Sequence, residues 1–421
     1  MTKAWSRVTE PREVQREGGP QPLGLAPSFG FGDRLGLATT GQLAGLTAAR
    51  TQVVPVLAQQ SARELERTGR TFEEVLEAAE SGARRSGWSL PFGADADHLK
   101  TTADVEAAVA AGFTMFTLDP SDEVVDDVFH WPASRVRAHF EAADWSGLEA
   151  TGDDLLARHG TAGIELAGRP LQVDEAAVAR AAVKYGRAIV RIGELAARVP
   201  PNSDLEVSVD ETATPTTTFE HVFVAAELAR MGVRPTSLAP RFPGVFEKGI
   251  EYRGSVAVFA QAVRDHAAVA SSLGPYKLSL HSGSDKFSIY RAFADATGGC
   301  FHIKTSGTWY LEALRVAALA DPSLARSIWR IARRDFPEAR RSYEISAELE
   351  AAPPAELSDG GVQALVDDDV ARRILHVTYG SVLGDPVLRA RLLDVLTADG
   401  GGPYERAVAS RVSAHLRALS A

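Results

Sequence analysis

The stretch Lys277-Leu278-Ser279-Leu280-His281-Ser282-Gly283-Ser284-Asp285-Lys286-Phe287-Ser288 decides the fold. Successive side chains of a strand point to opposite faces, so Leu278 and Leu280 share one face and Lys277, Ser279 and His281 the other. A polar inner face, an apolar outer face and a Ser/Gly turn opening a helix describe one βα unit of a closed barrel, whose outer face packs on helices. The same alternation recurs elsewhere. It turns His302 and Lys304 inward in Phe301-His302-Ile303-Lys304, and Glu206, Ser208 and Asp210 inward from Leu205 to Asp210. In Phe92-Gly93-Ala94-Asp95-Ala96-Asp97 both carboxylates share the inner face, with His98 just past the strand end, and Thr117 and Asp119 follow suit.

Outward from there, β-branched and aromatic runs alternate with helical patterns, which indicates a parallel sheet. Candidate strands are Gln52–Leu57, Ser89–Gly93, Phe113–Leu118, Leu205–Val209, Ser237–Ala239, Lys277–His281, Cys300–Ile303 and Leu375–Tyr379. Helices open at Thr71/Glu74 and Thr217/Glu220 capping boxes. Eight strands with interposed helices predict an α/β fold of the TIM-type (β/α)8 barrel kind. The expected organisation is an N-terminal extension over 1–26 and one barrel domain over 27–421, with helical insertions at about 121–170 and 322–363.

The chain has 421 residues, of which 45% are hydrophobic and 24% charged, the composition of a folded globular protein. A net charge of −10 repels phosphate backbones and anionic lipid, which argues against nucleic-acid and membrane partners. The N-terminus carries no signal-like apolar run, and no stretch approaches a membrane span. The single cysteine, Cys300, allows no intrachain disulfide and no thiolate zinc cluster, so the expected location is the cytoplasm.

Barrel enzymes place their chemistry at strand C-termini, where Asp97, His98, Asp119, Asp210, Glu211, Arg241, His281 and His302 fall. Any one of them also fits a satisfied lumen residue or a helix cap, but the set suits a divalent metal held by imidazole and carboxylate, with zinc, manganese or nickel the fitting ions. The expected ligands are His98, His281 and His302 with Asp210 or Glu211. Alternation alone puts His98 off the lumen face unless the strand ends at Asp97. The turns Ser282–Ser288 and Thr305–Thr308 each present small residues and amides at a helix start, a cradle for an anion. Arg241 and Lys248 suit a substrate carboxylate. Gly30-Phe31-Gly32-Asp33-Arg34-Leu35-Gly36 matches neither a dinucleotide fingerprint nor a P-loop. His221 and His266 fall on helices as surface or core residues, and His376 falls in the last candidate strand with no assigned role.

Several runs together carry a family resemblance: Pro27-Ser28-Phe29-Gly30-Phe31-Gly32-Asp33-Arg34-Leu35-Gly36-Leu37-Ala38-Thr39, Gly93–Lys100, Glu206–Thr212, Pro240-Arg241-Phe242, the run from His281 to Tyr290, and His302-Ile303-Lys304-Thr305. They resemble the tagaturonate/fructuronate epimerase family, whose relatives include fructose/tagatose 4-epimerases, over roughly residues 27 to 380. The chain departs at Gln42, where a histidine is expected, and in Thr305–Tyr310. The resemblance implies a metal-dependent isomerase of a keto-hexuronate or related ketose. Asp97 and Glu211 are then the acid/base candidates, and Arg241, Lys248, Ser282, Asp285, Lys286, Lys304 and Thr305 surround the substrate. Because the inverted carbon lies one position beyond the carbon next to the ketone, simple enolisation fails, and retro-aldol cleavage with re-addition is the expected route. A metal-dependent aldolase or ketose isomerase needs the same ligands, and a sugar-acid sensor would keep the pocket without turnover. The sequence names neither the ketose nor the oligomeric state.

Overall fold

A computed structural model describes residues 18–160, 164–166, 168–343 and 345–420. Most of the expected N-terminal extension, residues 1–17, lies outside the described residues. Eight strands form the barrel: β1 (Ser28–Phe31), β2 (Val54–Ser61), β3 (Gly93–Leu99), β4 (Met115–Leu118), β5 (Asp204–Val209), β6 (Ser237–Pro240), β7 (Lys277–Leu280) and β8 (Phe301–Thr305). All neighbours are parallel, and β1 pairs with both β2 and β8, which closes the sheet. The (β/α)8 barrel expected from sequence is present, with seven of the eight candidate strands in it.

The eighth candidate, Leu375–Tyr379, is not a strand. It falls in the helices Asp369–Val377 and Tyr379–Gly384. The Asp368 carboxylate accepts from the N–H groups of Val370 and Ala371 and so starts the first of these, while Ala371, Ile374 and Leu375 bury at helical spacing. Its place in the barrel is taken by Ser28–Phe31, which was not among the candidate strands. The third strand also shifts: the expected Ser89–Gly93 runs from Gly93 to Leu99 instead.

Alternation sorts the faces as expected. Val207, Leu278, Leu280 and Ile303 are buried in the layer between sheet and helices, while Asp95, Glu206, Ser279, His302 and Lys304 are buried in the lumen. Both capping boxes form: the Glu74 N–H donates to Thr71 Oγ1 at 3.2 Å and the Thr71 N–H to Glu74 Oε2 at 2.9 Å, with the same exchange between Thr217 and Glu220. Each cap of this kind contributes about 1 kcal/mol. Residues 18–27 close the N-terminal end of the barrel, where the Asp204 carboxylate accepts from the N–H groups of Leu23, at 2.6 Å, and Gly24, at 3.1 Å.

The insertion after β4 holds the helices Ala133–Ala142 and Gly152–Gly160 and a small antiparallel pair, Ile164–Leu166 with Arg169–Leu171, before the helix Glu175–Ala196 returns the chain to β5. The second insertion is built on the helices Pro322–Ala339 and Asp359–Ala364. Among the described residues no helix is long and apolar enough to cross a membrane.

Candidate active site

The centre of the lumen is built on one ammonium. Lys304, near the end of β8, places Nζ 2.6 Å from Asp97 Oδ1, 2.8 Å from Asp95 Oδ2, 2.8 Å from Glu206 Oε1 and 2.5 Å from Thr117 Oγ1. Three carboxylates crowd one cation, so their proton affinities separate. Burial raises the Asp95 pKa, and although Lys304 opposes this, Asp97 and Glu206 add to it, leaving Asp95 at about 6. Burial also works against ionised Asp97, but Lys304 and then His98 and His281 outweigh it and hold the carboxyl well below the usual range. Glu206 is ionised for the same reason, with Lys304 and His281 overcoming its burial.

Above this floor stand two histidines. His98 occupies a bulge in β3, where pairing with β4 slips between Ala96 and Leu99 and the backbone takes φ of 50°. The slip turns the imidazole toward the mouth, which alternation alone could not do. Its Nδ1 donates to Asp119 Oδ2 at 3.0 Å, and Glu211 Oε1 lies 4.0 Å away. His281 follows β7 with Nε2 2.6 Å from Glu206 Oε1, and its ring meets that of His98 edge-to-face at 5.0 Å between centroids. Asp210 Oδ1 is 3.2 Å from His281 Nδ1 but off the hydrogen-bonding line, so this buried nitrogen has no hydrogen-bond partner. Burial opposes protonation of both rings, yet the carboxylates prevail: Asp97, Asp119 and Glu211 lift His98 to about 10, and Asp210 and Glu206 lift His281 to about 9 against Lys304.

One ligand atom each from His98, Asp119 and Glu211 lie within 4.8 Å of one another, a spacing that a divalent ion with bonds of about 2.0–2.2 Å can gather. An ion bound here would displace a proton from His98 and, where it also ligates, from the Nδ1 of His281 beside it, and a nitrogen-and-oxygen set of this kind suits zinc, manganese or nickel. The residues therefore fit such an ion. The grouping differs from the expected one in two places. Asp119, expected from sequence only as a strand-end carboxylate, joins His98 directly. His302 sits one layer lower, paired in register with Ser28 and Ser279. Ser28 Oγ accepts from Lys277 at 3.0 Å and lies 2.9 Å from His302 Nδ1. Burial keeps His302 neutral, with a pKa near 3, and its buried Nε2 has no hydrogen-bond partner.

The residues expected around the substrate divide into two groups. Lys248 Nζ donates to Ser282 Oγ at 3.0 Å, both side chains being half-buried at the mouth. Arg241 follows β6, its backbone tied to Thr216 through N–H to Oγ1 and through its carbonyl, both at 2.9 Å. Asp285, Lys286 and Thr305 bond within the protein. Asp285 meets Arg372 at 3.0 Å as well as Arg411 and Thr308, Lys286 donates to the carbonyls of Glu247, Ile250 and Ser284, and Thr305 Oγ1 donates to the Gly30 carbonyl at 2.6 Å. These three hold the loops in place. Gln42, at the position where a histidine was expected, donates to the Gly32 carbonyl at 3.2 Å. Sequence reading missed the buried pair of Arg34 Nε with Glu64 Oε1, at 2.8 Å, because β1 was not seen as a strand delivering Arg34 to the mouth.

A family model described as tagaturonate epimerase matches residues 14–419 of the chain. A tagaturonate/fructuronate epimerase of Thermotoga maritima is 42% identical over 410 residues, which span 95% of this chain and 82% of that protein. Crystal structures of the fructuronate-tagaturonate epimerase UxaE from Cohnella laeviribosi, one complexed with glycerol and one native, share 35% identity with this chain. They give TM-scores of 0.89 and 0.88 and cover 96% of this chain and 83% of each of theirs.

Proposed function

Because this chain belongs to the tagaturonate epimerase family and is therefore an isomerase-class enzyme, we propose that it interconverts fructuronate and tagaturonate at the barrel mouth by breaking and remaking one carbon–carbon bond. The observation that carries the mechanism is the convergence of His98, Asp119 and Glu211 beside His281 at the ends of β3, β4, β5 and β7. His98, Asp119 and Glu211, with His281 beside them, would hold a divalent cation, which when bound would supply a Lewis acid for the ketone oxygen.

The inverted carbon lies too far from the ketone for its C–H bond to be acidified, so the reacting proton is that of its hydroxyl. Asp97, ionised beside Lys304, is the carboxylate proposed to take it, with Glu211 committed to the cation. As the O–H proton leaves, the bond to the carbon next to the ketone breaks. Its electron pair becomes an enediolate and the inverted carbon becomes an aldehyde. Rotation of the aldehyde and re-addition to its other face restore the bond, and the carboxyl group returns the proton to oxygen. Ser208, which donates to Asp210, and His281, which donates to Glu206, keep the neighbouring carboxylates in place. Lys248, Ser282 and Arg241 meet the hydroxyl and acid groups of the substrate.

Incubation with fructuronate or tagaturonate and manganese, nickel or zinc, followed by separation of the epimers, tests the activity. Loss of metal in His98→Ala and Asp119→Ala, read by elemental analysis, tests the ligands. Chelation should slow turnover on the order of a thousandfold, since each 1.36 kcal/mol of lost stabilisation is about tenfold. In deuterium oxide the inverted carbon should keep its hydrogen. Stoichiometric deuterium there overturns the cleavage route, and fragments released to solvent would make the enzyme an aldolase.

A further inference from the structure

The barrel mouth is electrically divided. The β3–β5 side carries the carboxylates described above. On the opposite side the turns after β7 and β8 meet the helix Asp369–Val377, and cations prevail. Arg34 is matched by Glu64, Arg373 by Glu247, and both Arg372 and Arg411 by the single carboxylate of Asp285. Lys248 and Lys286 add two ammonium groups that donate to a hydroxyl and to carbonyls instead of to carboxylates. The turn after β8, Ser306-Gly307, opens the helix Thr308–Ala320, no side chain caps its N–H groups, and the carboxylate nearest this end, Asp285, which accepts from Thr308 Oγ1 at 3.4 Å, is already shared by Arg372 and Arg411. The two turns are tied together by the Ser306 N–H and Ser284 Oγ at 3.4 Å.

Against this turn lies His376, only 1% exposed, with neither ring nitrogen hydrogen-bonded. Its Nε2 covers Gly307 so closely that a Cβ at position 307 would lie 1.8 Å from it, so glycine is required there. The main chain of His376 is fixed by Arg34, whose Nη1 donates to its carbonyl at 3.0 Å. Burial, with Arg34 and Lys248 nearby, holds the imidazole far below its usual pKa, so the ring is neutral and keeps one N–H. A buried donor left unmade costs about 1–3 kcal/mol. An imidazole in that state, beside an uncapped helix end in a basic environment, is set to receive an anion, and barrel enzymes commonly hold anions at the loops after their last two strands.

We propose that the turn Ser306-Gly307-Thr308, with the His376 imidazole and the Lys248 ammonium, binds the carboxylate of the sugar acid. This rests on the epimerase reading and orients the substrate within it. The acid end lies at the basic side, and the ketone and hydroxyls reach across the lumen to His98 and His281. The site discriminates keto-acids from neutral ketoses, because an uncharged terminal carbinol leaves the helix end and the ammonium unanswered.

The test uses two inert probes, the hexonate made by borohydride reduction of fructuronate and the hexitol made by reduction of fructose, titrated calorimetrically into the full-length protein. Wild type should bind the hexonate about tenfold or more tightly than the hexitol, the yield of one charge-assisted hydrogen bond. His376→Phe and Lys248→Met should each bring that ratio toward one, and His376→Gln, which restores an N–H, should recover part of it. Circular dichroism and thermal unfolding establish that each variant is folded. If His376→Phe does not fold, Lys248→Met and the wild-type ratio decide. A wild-type ratio near one, or a ratio unmoved in the folded variants, overturns the proposal. Turnover of fructuronate measured alongside separates the two readings: absence of any epimer condemns the activity, whereas turnover without preference for the acid condemns only the carboxylate site.

Discussion

Lys304 shows how much of the site rests on a single side chain. Its ammonium is within 2.8 Å of oxygens from Asp95, Asp97 and Glu206, all deep in the lumen. Lys304→Met keeps the length of the side chain and removes the charge, leaving three buried carboxylates to repel one another. Removing one partner of a buried pair typically costs about 3–5 kcal/mol, and that loss is the expected result in urea unfolding at neutral pH. An unchanged unfolding midpoint would mean that water reaches the carboxylates and that the lumen is not dry. The inward placement of Lys304, Asp97, Glu206 and His281 was legible in sequence, because a strand has a fixed period of two. His98 was not legible, since its orientation depends on a bulge and a positive φ that no residue type at 96–99 announces. Nor was the contact of His302 with Ser28, a partner 274 positions away in sequence.

Between the elements outside the lumen, the helices Thr218–Arg230 and Val256–Leu273 meet through His221 and His266, read from sequence as ordinary helix residues. Their Nδ1 atoms lie 2.9 Å apart and His221 Nε2 is 2.8 Å from the hydroxyl of Tyr276, all buried behind β7. Burial pushes His266 down from 6.5 to about 4 and holds His221 well below its usual value, where His266 adds to the effect. Both rings are therefore neutral in the folded protein, while in the unfolded chain they take up protons below pH 6.5. Stability from this pair is complete above that pH and is lost as the pH falls toward about 4, by up to about 3 kcal/mol for His266 alone. Thermal unfolding from pH 7 to 4.5 should show this slope, and His266→Gln should flatten it; an equal slope in the variant would refute the assignment. The same elements show where sequence reading of the fold stops. Leu375–Tyr379 has strand-like composition, yet the Asp368 cap and burial at helical spacing make it helical. Ser28–Phe31 has two glycines nearby and was not among the candidate strands, yet pairing on both sides with Val54–Val56 and His302–Thr305 makes it a strand. Capping was visible locally, whereas the pairing that closes the ring joins residues far apart in the chain.

At the scale of the whole molecule, the barrel is sealed by its last helix, Gly402–Ala418, lying along the helix Thr39–Ala49. Two glycines one turn apart let the backbones approach. A Cβ at Gly41 would lie 2.7 Å from the Glu405 carbonyl oxygen, and one at Gly45 would lie 2.5 Å from the Ala409 carbonyl oxygen and 2.6 Å from Val412 Cβ. Since the nearest obstacle at each is a backbone carbonyl, relief requires the helices to part. The last helix also reaches the site: Arg411 pairs with the Asp285 carboxylate, and His415, whose Nδ1 donates to the Arg411 carbonyl at 2.8 Å, accepts the Asp285 N–H on Nε2 at 3.1 Å. Asp285 holds φ of 59° in the turn that carries Ser282, a conformation costly to an L-residue and maintained by these contacts. Gly45→Val should therefore do two things at once. Overpacking should lower stability by about 1–3 kcal/mol, read by thermal unfolding. Release of Asp285 should raise the KM for the sugar acid while the proposed metal site at His98, Asp119 and Glu211, on strands across the barrel, is left unchanged. Arg411→Ala separates the two effects, since it frees Asp285 without parting the helices, and it should reproduce the rise in KM with a smaller loss of stability. A Gly45→Val protein with unchanged stability, or an Arg411→Ala protein with unchanged KM, would break the link drawn between the closure of the barrel and the geometry of its mouth.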